Sequence, residues 1–168
     1  MVKLEEYKPE HLPGVRLLLQ AAFGSQHELT AGEELALRLI VSHPGEDGCV
    51  IAHSAVYIRK MSSAAGEFSG GIIGDVAVDP AFQRRGLMRD MFDTIHSHFL
   101  QRGVSHSFLF AYHPVIYASL GYKPLQFPIN YWDVLDKRWN TYLYHGAMIR
   151  SVGEELPDGV IEFNGRTY

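Results

Sequence analysis

Four consecutive residues have the chemistry of a phosphate site and stand where a predicted strand gives way to a predicted helix. They are Gln83, Arg84, Arg85 and Gly86. Backbone N–H groups at a helix N-terminus attract a pyrophosphate, and arginine adds charge-assisted hydrogen bonds to it. A glycine in the turn lets the backbone approach the ligand because it has no Cβ. The turn is a candidate site for a phosphorylated ligand, although a turn of this kind also serves as a plain surface connection.

The apolar residues on either side of the turn predict a strand before it and a helix after it. Residues 72–78 contain few polar groups, so we predict a central strand that is buried on both faces. Beyond the turn, apolar residues recur at helical spacing and predict a helix over 86–102 that stops at Gly103. The strand and the helix are therefore expected to position the turn.

The segment before the central strand predicts further alternation of strand and helix. Alternating residues over 2–7 predict a strand, and helical spacing from Leu12 predicts a helix that ends before Gly24. Thr30 and Glu33 form a capping-box pattern that predicts a new helix, which changes to strand near Ile40. The remaining predictions here are a hairpin turn over 43–48, a long strand over 49–61 and a loop of small residues over 62–71.

The segment after the long helix predicts one more strand and helix, followed by irregular β-structure. We expect a strand over 104–112 and a short helix that Pro114 opens and Gly121 closes. In the last third we expect antiparallel strands over 127–134, 141–150 and 159–163. The fold class is therefore α+β (α/β), with about four helices.

Composition and charge exclude several classes of function. The 168 residues are 46% hydrophobic and show no linker, so we predict a single domain over 1–168. A net charge of -4 argues against nucleic-acid binding. Cys49 has no cysteine partner and the N-terminus is unlike a signal peptide, so we expect a cytoplasmic protein. No apolar run approaches the roughly 18 residues of a membrane span, so no membrane partner is expected.

Two motifs resemble the signatures of the GCN5-related N-acetyltransferase (GNAT) superfamily. The first runs from Gln83 to Met88 and follows a strand that ends in Val78-Asp-Pro. The second is Tyr117-x-x-x-Gly121-Tyr122. In the first motif Met88 replaces a small residue, which narrows the space beside a pyrophosphate. The resemblance implies a mixed, mostly antiparallel twisted sheet, splayed at its central strands and flanked by helices, and it implies acetyl-CoA as the co-substrate.

The resemblance also assigns roles to particular residues. It implies that Tyr117 is the acid beside the thioester sulfur and that the backbone N–H of Val78 polarises the thioester carbonyl. The residues it places at acetyl-CoA are Val76, Ala77, Val78, Gln83, Arg84, Arg85, Gly86, Leu87 and Met88. We expect no metal, because the histidines lack the spacing of metal ligands on one surface.

The group that removes the proton of the amine is open at this point. Asp75 is the nearest acid on the central strand, but strand alternation points it away from the substrate unless a bulge turns it. His53 on the neighbouring strand is a second candidate, because imidazole titrates near neutral pH. A relay of water molecules is the third.

Within the superfamily, the chain resembles the aminoglycoside 2'-N-acetyltransferases. The likeness lies in 50–61, in Asp75-Val-Ala-Val78, in 117–122 and in the tail over 165–168. Gly74 stands where that family has an acid, and Tyr168 stands where it has a terminal tryptophan. The resemblance implies that Asp75 and Tyr168 contact a small cationic substrate.

These observations lead to a predicted function with alternatives. We expect an acetyl-CoA-dependent N-acetyltransferase that acts on the primary amine of a small cationic molecule, with an aminoglycoside as the leading example. The alternatives are another amine (a polyamine, an amino acid or a protein N-terminus) and a non-catalytic sensor of acyl-CoA. The oligomeric state is open, with a homodimer as one expectation.

Overall fold

The computed structural model describes residues 2–168, which contain three α-helices and ten β-strands. The helices are α1 (Leu12–Phe23), α2 (Leu87–Gln101) and α3 (Val115–Ala118). The strands are β1 (Lys3–Glu6), β2 (Leu35–Ser42), β3 (Val50–Ser63), β4 (Gly66–Val78), β5 (His106–Phe110), β6 (Lys123–Pro124), β7 (Ile129–Asp133), β8 (Arg138–Tyr142), β9 (Ala147–Ser151) and β10 (Ile161–Glu162). The chain divides into two compact units. The first comprises the chain as far as Val56 together with Gly74–Ser97, and the second comprises Tyr57–Ile73 and His98–Tyr168.

The first unit is built on β1, β2 and the beginning of β3. β1 pairs antiparallel with β2, and β2 also pairs with β3, as the predicted hairpin requires. α1 buries one face against this sheet because its apolar residues recur at helical spacing. The core that results contains Val15, Leu18, Leu19, Ile40, Val50 and Ala77. A second core cluster contains Val41, Ile51, Ala52, Leu87 and Met91.

α1 lies very close to the turn that joins β2 and β3. A Cβ placed on Gly14 would lie 2.3 Å from the carbonyl oxygen of Gly48 and 2.9 Å from a methyl group of Val50. α1 ends at Gly24, whose φ of 109° is a left-handed value that favours glycine. The predicted end of this helix is therefore confirmed.

Two predictions in this part of the chain are wrong. The capping-box pattern of Thr30 and Glu33 does not start a helix, and 35–42 is strand β2. Residues 37–41 are all buried, and their pairing with β1 outweighs the local signal. The predicted loop over 62–71 is only a short turn at 64–65, after which β4 begins. Gly70 and Gly71 belong to β4. A Cβ on Gly70 would lie 2.3 Å from Met61 Sδ, and a Cβ on Gly71 would lie 2.4 Å from the ring of Phe99, so neither position has room for a side chain.

The second unit is a sheet in the order β6-β9-β5-β4-β3-β10-β7-β8, with the parts of β3 and β4 that belong to it. The pairs β4/β5 and β10/β7 are parallel, whereas β5/β9, β6/β9, β7/β8 and β10/β3 are antiparallel. This confirms the predicted α+β class with a mixed, mostly antiparallel sheet. The strand expected over 141–150 is instead two strands, because β8 ends at Tyr142 and β9 begins at Ala147.

Candidate active site

The predicted phosphate turn is an exposed, tightly folded loop of the first unit. The Asp79 carboxylate accepts a hydrogen bond of 2.8 Å from the N–H of Ala81, and Pro80–Phe82 form one turn of 3-10 helix. Arg84 and Gly86 then adopt left-handed backbone angles, with φ of 60° and 84°. Left-handed residues in a loop turn successive N–H groups towards one side, which makes a concave site for an anion.

The loop leads directly into the positive end of α2. The first backbone bond of this helix runs from the N–H of Asp90 to the carbonyl of Gly86, at 3.0 Å. The N–H groups of Leu87, Met88 and Arg89 come before that bond and have no partner within the helix. Apart from Gly86 and its two chain neighbours, no described residue has a heavy atom within 4 Å of a Cβ built on Gly86, so the space beside the loop is open. This arrangement fits the pyrophosphate of a coenzyme.

The side chains of the turn are differently placed. Gln83 and Arg84 are exposed, and the Gln83 amide donates to the carbonyl of Val78 at 3.2 Å. The Arg85 guanidinium is also exposed and lies over the ring of Phe82, 4.9 Å from its centre. Met88 is half-buried. Both arginines are therefore available to a phosphate, with Arg85 held in place by a cation–π contact.

The end of β4 places three other predicted residues next to the turn. Val76 and Val78 are half-buried, while Ala77 is only 5% exposed and belongs to the core of the first unit. The ladder continues past the end of the strand, since the N–H of Asp79 donates to the carbonyl of Ile51 at 2.8 Å. Any contact between Ala77 and a coenzyme is therefore made by its backbone.

Asp75 interrupts β4 with a left-handed backbone. Its φ is 51°, an uncommon value for a non-glycine residue inside a strand. Strand alternation consequently does not predict where this side chain points. The carboxylate is 13% exposed, and its Oδ1 accepts a hydrogen bond of 2.9 Å from Nε2 of His27. Strain of this kind is concentrated at functional sites.

His53 is fully buried and uses both ring nitrogens. Its Nδ1 donates to the backbone carbonyl of Asp75 at 2.8 Å, and its Nε2 accepts from the Arg38 guanidinium at 2.9 Å. Burial lowers the pKa of His53 to about 4, and the positive charge of Arg38 acts in the same direction. His53 is therefore neutral at physiological pH and stabilises the left-handed backbone of Asp75 through this hydrogen bond.

The first unit thus contains a closed ring of contacts around Asp75. Arg38 joins His53 to the carbonyl of Thr30, and Thr30 lies in the same segment as His27, which returns to Asp75. Arg38 is 7% exposed, and its guanidinium also lies 5.6 Å from the ring centre of Tyr7. These contacts around Asp75 connect the segment between α1 and β2 to the centre of the sheet.

Sequence reasoning placed Asp75 and His53 but missed His27 and Arg38. The signal for Arg38 was present, because a charged residue inside the apolar run Leu-Ala-Leu-Arg-Leu-Ile-Val needs a buried partner. Nothing local singles out His27, which lies in a segment without regular structure.

Tyr117 lies in the second unit, on α3. It is 9% exposed, and burial raises the pKa of its hydroxyl, so the phenol remains protonated at neutral pH. Nearby, the hydroxyls of Tyr122 and Ser107 are joined at 2.8 Å, and burial raises the pKa of Tyr122 as well. Gly121 has a φ of 89°, which allows the chain to turn between the two tyrosines. Tyr117 therefore has the protonation state that an acid requires.

The ring of Tyr168, also in the second unit, packs against another tyrosine ring and two guanidinium groups. It is parallel to that of Tyr57, with centres 3.6 Å apart. The guanidinium groups of Arg59 and Arg166 lie 5.6 Å and 4.7 Å from the centre of the Tyr168 ring. Because like charges repel, the two guanidinium groups at this ring disfavour the binding of a cationic substrate group beside it.

Among residues 2–168, no group of three or more histidine, cysteine or acidic side chains is arranged to hold a metal ion. No helix in the same range is long and apolar enough to cross a membrane.

Comparison with solved structures shows the same fold. A GNAT family N-acetyltransferase from Escherichia coli (YhbS), in complex with CoA, has a TM-score of 0.70 and 17% identity, covering 96% of this chain and 88% of that one. A GNAT family acetyltransferase from Brucella melitensis, in complex with acetyl-CoA, has a TM-score of 0.63 and 18% identity, covering 96% and 94%. Glucosamine-6-phosphate N-acetyltransferase from Arabidopsis thaliana has a TM-score of 0.61 and 17% identity, covering 75% and 94%.

A family model matches most of the sequence, whereas the comparison with curated proteins finds no match. The model of the acetyltransferase (GNAT) domain matches residues 3–125, which is most of the chain and includes both motifs. The chain therefore belongs to the GNAT family of acetyltransferases.

Proposed function

We propose that the chain transfers the acetyl group of acetyl-CoA to the primary amine of a small cationic molecule, with an amino sugar such as an aminoglycoside as the leading candidate. The proposal rests on Asp75, an acidic residue of β4 that has a strained backbone and lies three positions before Val78. A negative group at this point favours an acceptor that carries positive charge. The likeness of residues 50–61 and 117–122 to aminoglycoside 2'-N-acetyltransferases supports the choice of an amino sugar.

The roles of the residues follow from the needs of the reaction. A thioester carbonyl that is attacked by an amine develops negative charge on its oxygen, and we assign the backbone N–H of Val78 to this oxygen. The departing thiolate needs a proton, and we assign this to the hydroxyl of Tyr117, which burial keeps protonated. The loop over 83–86 and the first turn of α2 hold the pyrophosphate.

The test is an assay of wild-type protein with acetyl-CoA and a panel of amines. The panel contains an aminoglycoside, a polyamine, an amino acid and a peptide with a free N-terminus. Release of free thiol measures turnover, and mass spectrometry of the product locates the acetyl group. The proposal expects the aminoglycoside to be acetylated with the highest kcat/KM. Preference for another member of the panel would replace the acceptor, and binding of acetyl-CoA without turnover of any amine would favour a sensor.

A pair of variants tests the role of Asp75. Asp75→Asn removes the charge at nearly constant volume, and Asp93→Asn makes the same change at an exposed position of α2. We expect Asp75→Asn to lower kcat/KM for the amine at least about tenfold and to leave the affinity for acetyl-CoA unchanged. Asp93→Asn should change neither. Equal activity of the two variants would remove Asp75 from the acceptor side.

A further inference from the structure

We propose that His27 is the group that accepts the proton of the acceptor amine, and that Asp75 is the residue that positions it. The inference rests on the proposed function, since it names the base for that reaction. It arises from a contact that joins the segment between α1 and β2 to the strained residue of β4.

The contact between the two side chains defines the state of the imidazole. His27 Nε2 lies 2.9 Å from Asp75 Oδ1, and a carboxylate can only accept a hydrogen bond. The Nε2 atom therefore carries the hydrogen, and in the neutral ring Nδ1 holds the lone pair that can accept a proton. In the part of the chain that the structure describes, no residue is hydrogen-bonded to this Nδ1, and the side chain is 26% exposed. A substrate or one intervening water can reach it.

The imidazole is also held in place from two other directions. The ring of Phe23 lies 4.9 Å from that of His27, and the N–H of His27 donates to the carbonyl of Gly24 at 3.0 Å. Arg38 fastens the same segment through the carbonyl of Thr30. A base that is pre-positioned in this way loses little conformational freedom when the substrate binds.

The two other candidate groups are less suited to take a proton from the substrate. Both ring nitrogens of His53 are occupied, and the residue is fully buried. Asp75 Oδ1 is engaged by His27, while its Oδ2 is covered and has no hydrogen-bond partner among the described residues. Of these three side chains, His27 is the one with an accessible lone pair on a nitrogen.

The proton balance of the reaction is complete with this assignment. The ammonium group of the substrate gives one proton to Nδ1 of His27, and the neutral amine attacks the carbonyl carbon of the thioester. A C–N bond forms, the C–S bond breaks, and the sulfur leaves as a thiolate that takes a proton from the hydroxyl of Tyr117. The new amide nitrogen loses its second proton, which restores the tyrosine through solvent. His27 then releases its own proton to solvent, so the products are the amide, free CoA and one proton.

Turnover of three variants tests the role of His27. With the amine that wild-type protein acetylates, we expect His27→Gln to lower kcat about 100-fold without a change in KM for acetyl-CoA. His27→Ala should behave alike and should regain part of its rate when imidazole is added to the solution. His145→Gln is the matched control, because His145 is exposed and belongs to the second unit. Its kcat should equal that of wild type, and thermal unfolding confirms that the variants are folded.

A measurement that needs no turnover tests the tautomer. In protein with 15N-labelled histidine, the NMR signals of His27 should show the proton on Nε2 in wild type, and Asp75→Asn should reduce that preference. A proton on Nδ1 in wild type would overturn the inference. An unchanged kcat for His27→Gln would also overturn it, while the proposed function would stand. Wild-type protein that acetylates no amine would instead overturn the proposed function and this inference together.

Discussion

His27 and His53 both contact Asp75, yet their surroundings give them opposite properties. His53 contacts the backbone carbonyl of Asp75, is fully buried and has no free ring nitrogen. His27 contacts the carboxylate and is partly exposed. Burial therefore makes His53 a structural group, whereas the partly exposed ring of His27 is accessible to a substrate.

The buried histidine makes stability depend on pH. Because its pKa falls from 6.5 in the unfolded chain to about 4 in the folded one, the unfolded chain binds more protons between these values. The free energy of unfolding should fall by about 3 kcal/mol as the pH is lowered through this window. His53→Gln retains a donor and an acceptor without a titrating ring, so its unfolding free energy should lose this dependence. Urea unfolding at several pH values measures it.

The control for this experiment is His145→Gln, which alters an exposed histidine. It should keep the pH dependence of wild type. If His53→Gln also kept it, the loss of stability would come from other groups.

The hydroxyl of Tyr117 can be removed while its ring is kept. Tyr117→Phe removes the hydroxyl and keeps the buried ring, so the fold should be retained. If this hydroxyl protonates the thiolate, kcat should fall about 100-fold while KM for acetyl-CoA changes little. Steady-state kinetics with the preferred amine measure this. A variant with full activity would show that another group supplies the proton.

At the scale of elements, the turn between β4 and α2 combines two independent attractions for an anion. The positive end of α2 offers free N–H groups, and two exposed arginines precede it. The left-handed angles of Arg84 and Gly86 turn the loop towards the helix end. The sequence order of strand, basic turn and helix is sufficient to build such a site.

The arginines can be separated from the helix end by mutation. Arg84→Ala and Arg85→Ala should each weaken the binding of CoA, and the double variant should weaken it at least about tenfold, since a charge-assisted hydrogen bond contributes about 1.5–3 kcal/mol. Arg16→Ala changes an exposed arginine of α1 and should have no effect. Calorimetric titration at two salt concentrations measures the affinities. An unchanged affinity in the double variant would place the pyrophosphate elsewhere.

The elements that can be located from the sequence are those encoded by residues that are neighbours in the chain. The basic turn, the apolar stripe of α2 and the Tyr117 helix are each encoded in one contiguous segment, so the local pattern alone finds them. The pairing of His27 with Asp75 spans 48 positions and depends on the left-handed angle of Asp75, which no local pattern predicts. The mistaken helix at Thr30 lies in this same segment, because long-range pairing decided the structure that follows it.

A glycine of α1 tests the close approach of that helix to the sheet. Ala at position 14 would gain about 1 kcal/mol of helix propensity, but its Cβ would meet the backbone oxygen of Gly48. We expect Gly14→Ala to lower the free energy of unfolding by about 1–3 kcal/mol, because overpacking outweighs propensity. Gly45→Ala is the control, since His43 is the only described residue, apart from the chain neighbours of Gly45, that comes as near as 4.0 Å to its Cβ. Denaturant unfolding measures both; a stabilised Gly14→Ala variant would contradict the close packing.

At the scale of the whole molecule, ligand binding should be visible as stability. A ligand that binds only the folded chain raises the free energy of unfolding by about 2.7 kcal/mol at 100 times its Kd. Acetyl-CoA at that concentration should therefore raise the Tm by several degrees. Differential scanning fluorimetry measures the shift, with ADP at the same concentration as a control that lacks the pantetheine arm. No shift with acetyl-CoA would contradict the assignment of the co-substrate.

The strand β10 follows the other nine described strands in the sequence, yet it lies between β3 and β7 in the order of the second unit. Glu162 pairs with Ser62, and Ile161 pairs with Ile129, so two residues of chain connect strands that lie far apart in the sequence. Without β10, the edges of β3 and β7 that it covers would be unpaired, and unpaired edges are templates for pairing with another chain. Damage confined to these two residues should therefore promote self-association of the protein.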